Sequence, residues 1–229
     1  MLDLILVPGL LCDHAVWTHQ AKTLQANIII PDHGSLDSIP AMADAIIEKA
    51  PPRFVLIGHS MGGRVAFQVF RKARERVIGI GLFDTAAGPR RENEEVGRNE
   101  LLEIARGRGM RAMGEMWVER MVHPDRLSDP PLIDAILDMI ERRSADIFAA
   151  QIRALLNRPD ATSLLPQIRC PALVLCGRQD AWSNLGEHEK MAAAIAHSRL
   201  VVIEDCGHMS TMERPADVTA AMRDWITSL

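Results

Sequence analysis

The chain has 229 residues, 48% hydrophobic and 24% charged, proportions ordinary for a globular protein. That length supports one domain of good size with a substantial core. The formal net charge of -4, with basic residues scattered, gives no electrostatic case for a nucleic-acid partner, and no apolar run reaches the ~20 residues a membrane helix requires.

The opening "MLDLILVPG" lacks a basic leader region and a small-residue cleavage site, so it reads as a first strand rather than a signal peptide. A soluble cytoplasmic protein is the default expectation, with no membrane partner and no signal for oligomeric state. Further apolar runs of strand length follow: "NIII" (27–30), "RFVLIG" (53–58), "VIGIGLF" (77–83), "ALVLCG" (172–177) and "RLVVIE" (199–204). They are continuous rather than alternating, as in strands covered on both faces. Apolar residues at three- and four-residue spacing predict helices over 15–25, 38–49, 61–74, 186–196 and 215–227. Strand alternating with helix predicts an α/β fold built on a mostly parallel sheet flanked by helices.

The alternation stops between about residues 88 and 165, where the pattern is helical throughout and broken by Pro89, Pro124, Pro130, Pro131 and Pro159. The chain therefore divides into a core of 1–88 and 166–229 and an inserted all-helical cap or lid over 89–165. Met110, Met113, Met116, Trp117 and Met121 form an apolar stripe in the insertion. It reads either as helix packing or as a soft face for an apolar ligand, which makes Met113 and Trp117 candidate substrate contacts. Four widely spaced cysteines form neither a disulfide framework nor a zinc-site pattern, so no metal is expected.

The stretch "IGHSMGG" (57–63) sets Ser60 between Gly58 and Gly62 where a strand gives way to a helix. A serine on such a strained turn projects its hydroxyl from the sheet edge, and the helix N-terminus aims its free N–H groups at charge developing there. A turn serine or helix cap is the plainer reading, and nucleophilic chemistry requires a base and a group to orient it. Among eight histidines, His208 follows the last strand, in the loop where ligands and catalysts of parallel sheets collect. His59 adjoins Ser60 but diverges from it, which suits a pocket wall. His19, His123, His188 and His197 read as surface residues. Asp180, in "CGRQDAWSN" after the strand at 172–177, leaves the same edge and suits the acid that orients His208. Asp84, at the end of the strand 77–83, is its rival. Acyl transfer also needs donors for the oxyanion. The Met61 N–H is one expected donor, and Leu10 in "VPGLLCDHAVW" is the other, with Leu11 the alternative.

Taken together, "VPGLL", "GHSMGG", "GRQDAWS" and "DCGHMSTMERP" resemble the α/β-hydrolase family, and "DTAAGPRRE" resembles the exit into the cap of its small bacterial esterases. The resemblance covers nearly all of the chain outside the insertion. It implies a Ser60–His208–Asp180 triad that cleaves a small or medium carboxylic ester through an acyl-enzyme, with no cofactor. The expected partner is a small-molecule ester in a mostly apolar pocket lined by Leu11, His59, Trp17, Trp117 and Met113. Two departures stand out. Val-Pro-Gly replaces the His-Gly of many members in the oxyanion loop, and Ser183 stands where many place a proline after the acid. The same triad serves C–C bond hydrolases and lyases of the menaquinone-pathway type, which would need arginines such as Arg64, Arg90 or Arg91 for an anionic substrate. A non-catalytic receptor of this fold for a small apolar ligand is the alternative from another class.

Overall fold

In a computed structural model describing all 229 residues, the apolar runs form strands β1 (Asp3–Val7), β2 (Asn27–Ile29), β3 (Phe54–His59), β4 (Val77–Phe83), β5 (Ala172–Gly177) and β6 (Ser198–Ile203). They make one sheet in the order β2-β1-β3-β4-β5-β6, and every pairing is parallel. β3 and β5 are buried along their whole lengths, whereas the edge strands β2 and β6 are partly exposed. Burial on both faces is why the central runs carry no polar alternation. The strand order reverses beside β1: the chain runs outward to β2, then returns to β3 on the other side. The crevice outside the carboxyl ends of β1 and β3 is therefore the switch point where open α/β sheets bind ligands.

The helices are α1 (Thr18–Thr23), α2 (Ile39–Lys49), α3 (Met61–Ala73), α4 (Glu94–Arg108), α5 (Met110–Val118), α6 (Pro130–Glu141), α7 (Ala145–Leu156), α8 (Leu185–Ala194), α9 (Ser210–Glu213) and α10 (Pro215–Ile226). The helix expected over 15–25 is in two pieces. A 3-10 turn over His14–Trp17, capped by Asp13, precedes α1. Ser38 caps α2 by accepting the Ala41 N–H.

Helices α4 to α7 follow one another between β4 and β5, with α5 packed on α4 and α6 and α4 packed on α7. One continuous core of 60 buried residues joins sheet residues such as Leu56 and Phe83 to Met113, Ile136, Phe148 and Ile152 of this helical segment. The segment is thus held on the sheet by shared apolar burial. Polar ties add to it: Arg142 pairs with Asp13 and Arg143 with Asp32. No helix is long and apolar enough to cross a membrane.

Candidate active site

The turn from β3 into α3 is built around Ser60, which adopts φ 56° and ψ -119°. This backbone is costly for a non-glycine residue and persists only where the surroundings enforce it. They do so here. The Ser60 N–H donates to the Phe83 carbonyl at 2.9 Å, and the Ser60 carbonyl accepts from Gly63 N–H at 3.0 Å and the Thr85 hydroxyl at 2.8 Å. The flanking glycines are obligatory for a steric reason. A Cβ on Gly58 would lie 2.2 Å from the Gly62 carbonyl oxygen, and one on Gly62 would lie 2.1 Å from the Val7 carbonyl oxygen. Both obstacles are backbone, so Gly62→Ala is expected to lower unfolding free energy by at least about 2 kcal/mol, read as a lower urea midpoint.

The His208 loop brings its ring to this serine. The Ser60 hydroxyl donates to His208 Nε2 at 2.8 Å, and His208 Nδ1–H donates to Asp180 Oδ2, also at 2.8 Å. The carboxylate can only accept, which fixes the proton on Nδ1 and leaves Nε2 as the acceptor. Asp180 Oδ1 accepts the N–H groups of Trp182 at 2.8 Å and Ser183 at 2.9 Å. A proline at 183 would have no hydrogen to give. Ser183 therefore replaces ring rigidity with a direct bond that fixes the carboxylate.

Burial alone would lower the His208 pKa. The charge and hydrogen bond of Asp180 overcome it, and His208 lies above the ordinary imidazole value. Burial likewise opposes the shift at Asp180, yet His208 and the two backbone donors hold that carboxyl below its usual range. Asp84, the rival acid, does not bond His208. Its Oδ1 accepts Gly177 N–H at 3.0 Å and its Oδ2 meets the Ser210 hydroxyl. Burial, with the Asp180 charge added, pushes its carboxyl well up.

His59 stands behind the His208 ring rather than against the nucleophile. Its Nε2–H donates to the His208 carbonyl at 2.8 Å, and burial pushes its pKa down to about 3, so it stays neutral. Glu213 holds the same loop from below, accepting the N–H groups of Gly207, Met209 and His123. His188, expected on the surface, is fully buried. Its Nε2 accepts the Thr85 N–H at 3.1 Å, and Thr85 in turn holds the serine turn.

A cavity of about 750 Å³ opens over Ser60 and His208. Leu10, Met61, His59 and Trp117 line it. The Leu10 N–H has no partner in the molecule, and Met61 begins α3, where N–H groups are free of the helix ladder. Leu11 does not line the cavity. Its N–H is taken by Gln151 Oε1 at 2.8 Å and its side chain is fully buried, which removes it both as a substrate contact and as the alternative oxyanion donor. Met113 is also absent from the wall, sealed among the helices with no exposure, and Trp17 belongs to the core. Apolar spacing marks a buried face without saying whether a helix or a ligand covers it. The pocket wall is mixed rather than uniformly apolar: Glu92, Glu94, Arg98 and Arg158 line it alongside Leu10, Trp117 and Trp182. Trp182 meets the edge of His208 at 4.8 Å and stacks on Trp117 at 5.3 Å, and Trp117 meets Phe148 at 5.9 Å. The same cavity is also lined by charged groups: Glu94 pairs with Arg98 and Arg158, and Arg64 stands beside them. No group of three or more His, Cys, Asp or Glu side chains is arranged to hold a metal ion.

Gln151, Glu213 and His188 escaped the sequence reading. The acidic residue five positions beyond His208 was the one local hint, for Glu213.

Comparison with known proteins agrees with this architecture. A thermophilic esterase from Thermogutta terrifontis, solved with malate bound, superposes with a TM-score of 0.92 at 34% identity, covering 100% of this chain and 90% of that one. A pimeloyl-[acyl-carrier protein] methyl ester esterase of Nitrosomonas europaea is 23% identical over 245 residues, covering 93% of this chain and 91% of its own. A 2-succinyl-6-hydroxy-2,4-cyclohexadiene-1-carboxylate synthase of Salmonella typhimurium is 26% identical over 210 residues, covering 84% and 76%. The pattern of one family spans residues 4–222, and with the parallel sheet and the serine turn in place, this chain belongs to the alpha/beta hydrolase family.

Proposed function

We propose that this hydrolase cleaves small or medium carboxylic esters through an acyl-enzyme on Ser60. The observation that carries the reading is the unbroken relay from Ser60 through His208 to Asp180, with both bonds at 2.8 Å, opening on a cavity beside the Leu10 and Met61 N–H groups. His208 Nε2 takes the Ser60 proton as Oγ attacks the ester carbonyl. The two N–H groups hold the negative oxygen of the tetrahedral intermediate, and Asp180 stabilises the imidazolium. His208 then protonates the departing alcohol. Water, deprotonated by the same nitrogen, releases the acid and restores Ser60. The cycle consumes only ester and water. The segment 89–165 acts as the cap, and its Trp117 and Phe148, with Trp182, form an aromatic wall for the acyl or alcohol group. The esterase names of two relatives support the same reaction class.

A series of p-nitrophenyl esters from acetate to decanoate tests the reading. Turnover is expected, greatest at short to medium chain length. A folded protein that hydrolyses none of them would overturn it.

One observation favours a second reading. Arg64, one helical turn beyond Ser60, spends a single hydrogen bond on the Gly88 carbonyl and pairs with no carboxylate. Burial and the neighbouring Arg158 disfavour its charge, a cost that a bound anion would relieve. Arg91 lies at the rim, bonded to the Trp182 carbonyl, and Arg90 is paired with Glu95 away from the cavity. An anionic substrate is what the lyase-type reading requires. Failure on every ester, with Ser60 still reactive toward a fluorophosphonate, would select it. Failure of both would select a receptor.

A further inference from the structure

The loop carrying the proposed oxyanion donor is held by a residue from the inserted helices. Leu11 adopts φ 58°, the left-handed region that an L-residue enters only at an energetic cost. The peptide unit joining Leu10 to Leu11 is gripped at both ends. Its N–H donates to Gln151 Oε1 at 2.8 Å, and its carbonyl accepts from the Cys12 thiol at 3.5 Å. Burial pushes that thiol up to about 12, so it remains a donor. Gln151 spends its other end on the Gly34 carbonyl, through Nε2 at 3.1 Å, and its side chain is 1% exposed. Its helix, α7, also supplies Phe148 and Leu155 to the cavity wall.

We infer that Gln151 is a positioning residue for the oxyanion hole: by holding the Leu10–Leu11 peptide unit, it turns the Leu10 N–H toward the cavity and ties that orientation to the helix that walls the substrate. This rests on the serine-hydrolase reading and on Leu10 as a donor. The chemistry of the residue suits the task. A neutral amide satisfies a buried N–H and a buried carbonyl at once, where a carboxylate would leave the carbonyl without its donor. With Leu11 anchored, the neighbouring Leu10 N–H is the one left free for substrate. The arrangement acts on the transition state, because the oxyanion exists only there, so its loss falls on kcat rather than KM.

The test compares Gln151→Leu, which removes the acceptor, and Gln151→Asn, which retracts it, with Gln151→Glu, which keeps an acceptor in place. Arg142→Ala is the structural control: it cuts another tie between the inserted helices and this loop, the Arg142 Nε bond to Asp13 at 2.7 Å, without touching Leu11. All are assayed on p-nitrophenyl butyrate well below their melting temperatures. The Leu and Asn variants are expected to lose kcat by about 10- to 100-fold with KM within about twofold, since one misaligned oxyanion donor costs up to that order. The Glu variant is expected to regain most of kcat, and Arg142→Ala to lower the melting temperature with little change in kcat. Should Gln151→Leu fail to fold, Gln151→Asn carries the comparison. A Ser60-dependent rate untouched by the Leu and Asn variants, or lost equally in Arg142→Ala, overturns this inference alone. A wild-type rate that does not depend on Ser60 overturns the hydrolase reading with it.

Discussion

Ser60→Ala is expected to lower kcat/KM for p-nitrophenyl butyrate by about 10⁴-fold or more, some 5 kcal/mol of transition-state stabilisation. The loss is large because no other group can take over the bond to carbon. The neighbouring Thr85 hydroxyl is committed to the Ser60 carbonyl, and burial pushes the Cys12 thiol up to about 12, leaving it un-ionised at neutral pH. The fold should survive. The one hydrogen bond made by the Ser60 side chain is to His208, while the turn is held by backbone and by Thr85. The melting temperature is expected to stay within about 2 °C, the shift that a fraction of a kcal/mol produces in a chain of this size. Stopped-assay kinetics beside differential scanning fluorimetry would check both halves. Residual turnover above about a tenth of wild type would remove Ser60 as the nucleophile.

Asp180→Asn is expected to cost about 10³- to 10⁴-fold in kcat and to move the pH profile. Asp180 Oδ1 accepts two backbone N–H groups, so an asparagine must put its carbonyl there and turn its NH₂ toward His208 Nδ1. That places the imidazole proton on Nε2, where it can no longer accept from Ser60. The sign of the pH effect follows from the charges. In the wild type His208 lies above the ordinary imidazole value of about 6.5, and the neutral ring is the base, so kcat/KM should rise with pH through a midpoint above 6.5. Without the Asp180 carboxylate, burial is opposed only by the weaker influence of the Asp84 and Glu213 charges, and the midpoint moves down. A loss below about tenfold, with an unmoved midpoint, would transfer the acid role to Asp84, whose carboxyl is buried beside Ser210 and 3.6 Å from His59.

The strands were legible because burial on both faces leaves an unbroken apolar run, and the ends of β3, β4 and β5 could be read from it almost to the residue. Ser60 was legible because its turn needs glycines at fixed offsets. Asp180 and His208 stood out by following strands on the correct sheet edge. Those signals are local. Gln151 meets Leu11 across 140 positions, and nothing in the repeat of α7 distinguishes an amide that braces a loop from one facing solvent. His188 looked like any polar helix residue until Thr85 appeared beside its ring. Met113 and Trp117 share a helix face in sequence, yet one is sealed by neighbouring helices and the other faces the cavity, a difference set by how the inserted helices pack on one another. The charge in the cavity was hidden for the same reason: Glu94 and Arg158 are 64 positions apart and meet only when α4 lies along α7.

The claim that Ser60 is an activated nucleophile is tested most directly by covalent capture. The folded protein is treated with an alkyl fluorophosphonate and its peptides are mapped by mass spectrometry. The account predicts a single adduct, on the peptide carrying Ser60, with a labelling rate that rises with pH as His208 loses its proton and vanishes in Ser60→Ala. An adduct on any other residue, or a folded protein that takes up no label, would contradict it.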